Sequence, residues 1–336
     1  MAGAETLRIA TYNADLTRRG PGLLLRDILR GDDVQIAAVV AVIARADPDV
    51  ILLTGFDWDY DGVALAAFAK ALTAAGANYP YRFAARPNTG LPTGLDLDRN
   101  GDRGDARDAQ GYGRFAGEGG MALLSRLPID TQGIRDYSGF LWRDLPGALI
   151  DGEPPDVLAV QRLSTTAHWD VPILLPNGAL HLLAWHATPP VFDGPEDRNG
   201  RRNHDEAAFW TRYLDGDLPM RPPDAPFVIL GDANLDPVDG EGLRGGITAL
   251  LTDPRLQDPE PKGQSDRADP AQRGDAALDT ALFDGIGGLR VDVVLPSADL
   301  TVTNAGVSWP PDTDPMAATA AAASRHRLVW VDVALP

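Results

Sequence analysis

The 336-residue sequence contains no cysteine. That absence excludes disulfides, thiolate nucleophiles and cysteine-bound zinc together. Long apolar runs are missing as well: no stretch reaches the roughly 20 uninterrupted apolar residues of a membrane-spanning helix. Positive charge is scarce. Thirty Lys and Arg face 48 Asp and Glu, a formal net charge of −18, and only Lys70 and Lys262 are lysine. Such an excess of acid argues against a non-specific grip on duplex nucleic acid, where Lys and Arg must displace counterions. It is compatible with a small anionic substrate in a local positive pocket. Neither a Gly-x-Gly-x-x-Gly nor a Walker pattern occurs, which removes the common nucleotide cradles.

What is present suffices for a core. Apolar residues make up 44% of the chain, which fits a globular protein and not global disorder. Ala2-Gly3-Ala4 fits the small-x-small pattern beside a signal-peptidase cut, although no apolar h-region precedes it. Residues 1–6 therefore read as a remnant of processing, and a periplasmic or extracellular location is favoured over a cytoplasmic one. Residues 7–336 read as a single domain.

Helical spacing predicts helices over 35–46, 63–74 and 203–214, the first stopped by Pro48. Apolar runs predict strands over 7–13, 50–53, 79–84, 121–125, 158–167, 179–187, 226–231, 289–295, 301–307 and 327–333. Residues 86–119 and 253–288 are rich in Gly, Asp or Pro, lack periodicity and read as long loops. Strands outnumber helices and the two mix, which predicts an α/β domain of two packed sheets flanked by helices.

Several polar residues stand at the ends of the predicted strands. Asn13 closes the first. His186 follows Leu182-Leu183-Ala184-Trp185, and Asp232 and Asn234 follow Phe227-Val228-Ile229-Leu230-Gly231. Asp292 lies within Leu289–Val294 and His326 precedes Arg327-Leu328-Val329-Trp330. Rigid scaffolds place chemistry at such positions.

Gly231-Asp232-Ala233-Asn234, Arg290-Val291-Asp292-Val293-Val294 and Ser324-Arg325-His326-Arg327, in that order, resemble the endonuclease/exonuclease/phosphatase superfamily. This is the fold of pancreatic deoxyribonuclease, inositol polyphosphate phosphatases and sphingomyelinases; residues 184–206 look like a bacterial branch of it. The resemblance spans nearly the whole chain. It implies a four-layer α/β/β/α sandwich of two mixed sheets flanked by helices, with metal and phosphate meeting at one end. It also implies roles. His326 would contact the scissile phosphate or help activate water, with Asp292 orienting it. His186 would be a second phosphate-facing histidine, acting as general acid or charge stabiliser. Asp232 would orient or deprotonate the attacking water, Asn234 would donate to a phosphoryl oxygen, and Asn13 would complete the metal and phosphate shell.

Two departures stand out. The family usually has a metal-ligating Glu in a Leu-x-Glu setting, where this chain reads Leu53-Thr54-Gly55. It usually has Ser-Asp-His where this chain has Ser324-Arg325-His326. Hard cations want carboxylate oxygens. Three readings compete: Asp57, Asp59 or Asp15 supplies a displaced ligand, Arg325 replaces the cation's charge at the phosphate, or catalysis is lost and binding kept. The metal set on the first reading is Asn13, Asp57 and Asp232.

Asp96, Asp98, Asn100, Gly101 and Asp102 match the opening of an EF-hand-type calcium loop. Position 12 is Arg107 instead of Glu; Asp105 or Asp108 would have to substitute. A solvated, turn-rich loop is the alternative. The basic island Arg198–His204 offers Arg201 to a substrate phosphate, or pairs with neighbouring acids. His168 lines the pocket or is a hydrogen-bonded structural histidine. Trp142, Trp210 and Trp330 read as core. The expectation is a hydrolase of small phosphate mono- or diesters, dependent on Mg or Mn, with a structural Ca and a monomeric state. A nuclease of the same fold and a non-catalytic phosphate-binding scaffold are the alternatives.

Overall fold

The computed structural model describes residues 6–335, so the triplet Ala2-Gly3-Ala4 lies outside the described residues. β1 (Thr6–Leu16) is followed by α1 (Leu23–Arg30), α2 (Val34–Ala46), β2 (Val50–Phe56) and α3 (Val63–Ala74). Then come β3 (Tyr81–Phe83), β4 (Gly120–Ser125), β5 (Arg135–Asp136) and α4 (Pro155–Val160). β6 (Ala167–Leu175), β7 (Gly178–His186), α5 (Arg198–Asp215), β8 (Phe227–Asp232) and α6 (Gly245–Leu251) continue the chain. A small hairpin, β9 (Ala281–Phe283) and β10 (Gly287–Leu289), precedes β11 (Asp292–Pro296), β12 (Thr301–Val307), α7 (Met316–Ala323) and β13 (Val329–Ala334).

Six strands form one sheet in the order β12-β13-β1-β2-β4-β3, and five form another in the order β11-β8-β7-β6-β5. Both are mixed: β1 runs parallel to β2 and β7 to β8, and the other pairs are antiparallel. Side chains alternate between faces along each strand. In β1, Leu7 and Ile9 join Trp169, Leu182 and Leu230 between the sheets. Ala10, Tyr12 and Leu16 turn the other way, onto Ile43 of α2 and Phe68 of α3. On the second sheet Leu183 and Trp185 pack on Phe209 and Trp210 of α5 and Ile247 of α6. The result is the expected α/β/β/α sandwich, whose strands are apolar on both faces because both faces are covered.

Several local expectations are corrected. Residues 158–167 are not a strand: Pro155 starts the short helix α4, as proline does at a first helical position, and the strand begins at Ala167. α5 starts at Arg198, so the basic island forms its first turns. α1, α6 and α7 were not expected, and the 253–288 loop ends in the β9–β10 hairpin. The 86–119 loop has no regular element but is pinned. Asn88 Nδ2 donates to the carbonyls of Ser138 and Ser164, both at 2.7 Å, and Arg202 donates to the Gln110 carbonyl at 2.6 Å. Among the described residues no helix is long and apolar enough to cross a membrane.

Candidate active site

Strand register assembles the site. His186 ends β7 and stands opposite Asp232, the last residue of β8. Asp232 stands opposite Asp292, the first residue of β11. Three adjacent strands thus bring three ionisable groups to one end of one sheet. Gly231 makes this spacing possible: its φ is +151°, and a Cβ there would overlap the Trp185 carbonyl on β7. The other sheet contributes Asn13, whose Nδ2 donates to Asp232 Oδ2 at 2.8 Å. His326 arrives on the segment before β13. The Ser324 hydroxyl fixes that segment, donating to the Asn13 carbonyl at 2.7 Å and accepting from the His326 amide at 3.0 Å.

The electrostatics follow from burial. His326 Nδ1 donates to Asp292 Oδ2 at 2.9 Å and lies 4.0 Å from Asp232 Oδ2. Burial opposes a charge on this ring, but Asp292 and Asp232 outweigh it and raise its pKa to about 9. His326 is therefore an imidazolium at neutral pH, and its Nε2 has no partner among the described residues. His186 behaves oppositely. Its Nε2 is 3.5 Å from Asp232 Oδ2, its Nδ1 is buried without a partner, and burial lowers its pKa. Burial raises the pKa of Asp232, with Asp292 adding like charge. Asn234 adopts φ +51°, a left-handed conformation asparagine tolerates. Its amide donates to Asp232 Oδ1 and its Nδ2 to the Ala187 carbonyl, both at 2.8 Å.

A family model described as the endonuclease/exonuclease/phosphatase family matches residues 10–326. The chain belongs to the endonuclease/exonuclease/phosphatase family. Solved structures agree on the fold. An endonuclease/exonuclease/phosphatase from Beutenbergia cavernae DSM 12333 is 18% identical, covers 98% of this chain and 72% of its own, and has a TM-score of 0.59. Sphingomyelinase C from Streptomyces griseocarneus is 16% identical, covers 98% and 99%, and has a TM-score of 0.50. The mannosyl-6-phosphatase Bt3783 from Bacteroides thetaiotaomicron VPI-5482 is 16% identical, covers 98% and 100%, and has a TM-score of 0.50. Among curated protein sequences none is a significant match.

In this family member the metal question turns on donors. Gly55 has φ +64°, and a Cβ there would lie 2.5 Å from Asn13 Oδ1. A glutamate there would be strained by the left-handed backbone and would push Asn13 aside. Asp57 does not replace it: its oxygens accept from the amides of Arg18 and Gly119, both at 2.9 Å, and burial raises its pKa to about 6. Asp57, expected as a ligand, is not among the residues that cluster with Asp232. Arg325 is 60% exposed along its side chain and its Nε lies 3.4 Å from Asp15 Oδ2. Acidic donors remain nonetheless. Asp232, Asp292 and His326 present ligand atoms within 4.8 Å of one another, and Asp292 Oδ1 is buried with no partner. Two crowded buried carboxylates with an orphaned oxygen fit a hard divalent ion.

The acidic loop also clusters, on different residues. Asp96, Asp98 and Asp108 bring oxygens within 4.8 Å of one another. Asp108 joins this cluster and Asp102 does not. His168 is not in the pocket. It is wholly buried; Nε2 donates to the Glu206 carbonyl at 3.0 Å, and Nδ1 accepts from Ser164 Oγ at 2.6 Å. Burial lowers its pKa to about 4. Arg201 lines the groove beside His186 but donates to the carbonyls of Leu149 and Asp151 at 2.8 and 3.0 Å. Sequence reasoning missed two residues of α5. Asn203 Nδ2 donates to the Thr188 carbonyl at 2.6 Å and the Ala233 carbonyl at 2.8 Å, joining the segments after His186 and Asp232. Glu206 accepts from the amides of Thr165 and Thr188, and burial raises its pKa to about 7. The signal was available: both are polar yet share the helical stripe of Ala207 and Trp210.

Proposed function

We propose that the protein hydrolyses a small phosphate ester by in-line attack of water. The observation that carries this reading is the convergence of His186, Asp232, Asp292 and His326 on one end of the two sheets, with Asn13 and Asn234 beside them. Phosphoryl transfer asks for positioning and for neutralisation of spreading negative charge. The His326 imidazolium, held by Asp292, supplies a fixed positive charge with Nε2 free for a phosphoryl oxygen. Asp232, whose pKa is raised by burial, accepts the proton of the attacking water. His186, neutral through burial, keeps its Nε2 against Asp232, and the proton that Asp232 takes from water returns to the leaving oxygen. Asn13 fixes the Asp232 carboxylate, and Asn234 has a second N–H for the phosphate.

A divalent ion, Mg or Mn by preference for oxygen donors, would be held by Asp232, Asp292 and Asn13; when bound it supplies further charge neutralisation. The Asp96–Asp98–Asp108 cluster is the candidate for a structural calcium. Hydrolase activity in a sphingomyelinase and a sugar-phosphate phosphatase of the same fold supports the reading. The acidic balance of the chain disfavours a nuclease.

The test is turnover of p-nitrophenyl phosphate and bis-p-nitrophenyl phosphate by metal-free protein, with and without Mg, Mn and Ca, alongside His326→Ala. Metal-stimulated turnover lost in the variant is the expected result. Turnover without metal, lost in Arg325→Ala, would put the guanidinium in the ion's place. No turnover under any condition sinks the hydrolase reading in favour of a binding scaffold.

A further inference from the structure

A groove of about 1470 Å³ leads away from His186. Residues 89–119 of the long loop line it together with residues 151–153 and 186–202. A phosphoryl group fills only a small part of such a volume; pockets for drug-sized ligands are typically about 300–1,000 Å³. The rest of the groove therefore suits the part of the substrate that leaves.

Its lining is unusual in what it exposes. Tyr112 and Phe192 both line the groove and are 62% and 80% exposed. Phe192 sits at φ +72°, a region costly for a non-glycine residue. The protein thus strains its backbone and leaves the ring in solvent, with no burial in the fold to compensate. Around these rings the lining is polar. Asp193 and Glu196 contribute carboxylates, and Arg99 and Arg107 contribute guanidinium groups that have no partner among the described residues.

This mixture discriminates between phosphate esters. A nucleic-acid strand repeats negative charge along its length and meets those carboxylates. A lipid tail needs a continuous apolar channel, and charged groups interrupt this one. A carbohydrate suits every part. Aromatic faces take up the C–H faces of sugar rings, carboxylates accept from hydroxyls, and guanidinium groups donate to them. We propose that the groove binds the leaving group of a phosphorylated carbohydrate larger than one sugar, with Tyr112 and Phe192 as stacking platforms. The reaction rests on the hydrolase reading above; the binding does not.

The experiment compares wild type, Phe192→Ala and Tyr112→Ala on trehalose 6-phosphate, glucose 6-phosphate, adenosine monophosphate and ethyl phosphate. Calorimetric titration with trehalose 6-phosphate and adenosine monophosphate runs beside it. Trehalose 6-phosphate should have the lowest KM, and each variant should raise it about tenfold. kcat/KM on ethyl phosphate, whose leaving group is too small to reach the rings, should stay within about twofold, and Tm should hold because both rings are exposed. Equal losses on ethyl phosphate overturn the proposal. So does a preference for the nucleotide, or no gain of the disaccharide ester over glucose 6-phosphate. If the wild type hydrolyses none of the four, calorimetry alone decides the groove. Binding of trehalose 6-phosphate weakened about tenfold in Phe192→Ala upholds it; no binding to wild type at millimolar concentration overturns it.

Discussion

Gly55 and His168 are opposite cases of what one position reveals. At Gly55 the sequence shows only that an expected carboxylate is missing; the backbone shows that any side chain there is strained. With φ at +64° and Asn13 Oδ1 2.5 Å from any Cβ, Gly55→Ala should cost about 2 kcal/mol or more, read as a lower urea midpoint. It should also lower turnover, because Asn13 must move off Asp232. His168 was legible as a polar residue in a strand, and its neighbours decided its role. A folded pKa near 4, below the ordinary 6.5, means that the folded state disfavours the imidazolium. The stability this histidine contributes is present above pH 6.5 and is lost as pH falls from 6.5 through 4. The loss is on the order of 3 kcal/mol. Urea titrations across that range should show the steep dependence in wild type and a flatter one in His168→Gln.

Among the elements, α5 couples the groups of the site. Its Asn203 ties the Thr188 and Ala233 carbonyls, one residue removed from Ala187 and Asp232 respectively. Asn203→Ala leaves both carbonyls without this donor. It should lower kcat at least about tenfold with little change in KM, since small displacements of reacting groups are costly. The stability loss should be about 1–3 kcal/mol. Asn203→Asp, which sets a carboxylate against two carbonyls, should be worse on both counts; steady-state kinetics and thermal melts check this. Helices α2 and α3 were legible because their apolar residues recur at helical spacing. α7 was not: its run of alanines carries no amphipathic pattern. The α4 segment misled because residues 158–167 mix apolar and polar residues in a way that suits a strand equally well. Asn203 and Glu206 fall on the apolar stripe of α5, but their partners, the Thr188 and Ala233 carbonyls and the Thr165 and Thr188 amides, are set by the fold.

At the scale of the whole molecule, the two-sheet architecture was legible from alternating strands and helices, and the catalytic candidates from the polar residues at strand ends. What the sequence could not supply was pairing. Register alone sets His186 and Asp292 on either side of Asp232. Only the packing of one sheet on the other brings Asn13 to Asp232, while the pairing of β1 with β13 brings the 324–326 segment to Asn13.

That last contact has a consequence in time. The centre joins residue 13 to residue 232 and residue 292 to residue 326, so it exists only when distant parts of the chain have met. Contacts of such sequence separation form late and slowly. Helices can be complete while the centre is still absent. In a refolding experiment, far-ultraviolet circular dichroism should recover first and turnover should follow in the slowest phase. Asn13→Ala should shorten the list of contacts awaited without making the centre competent.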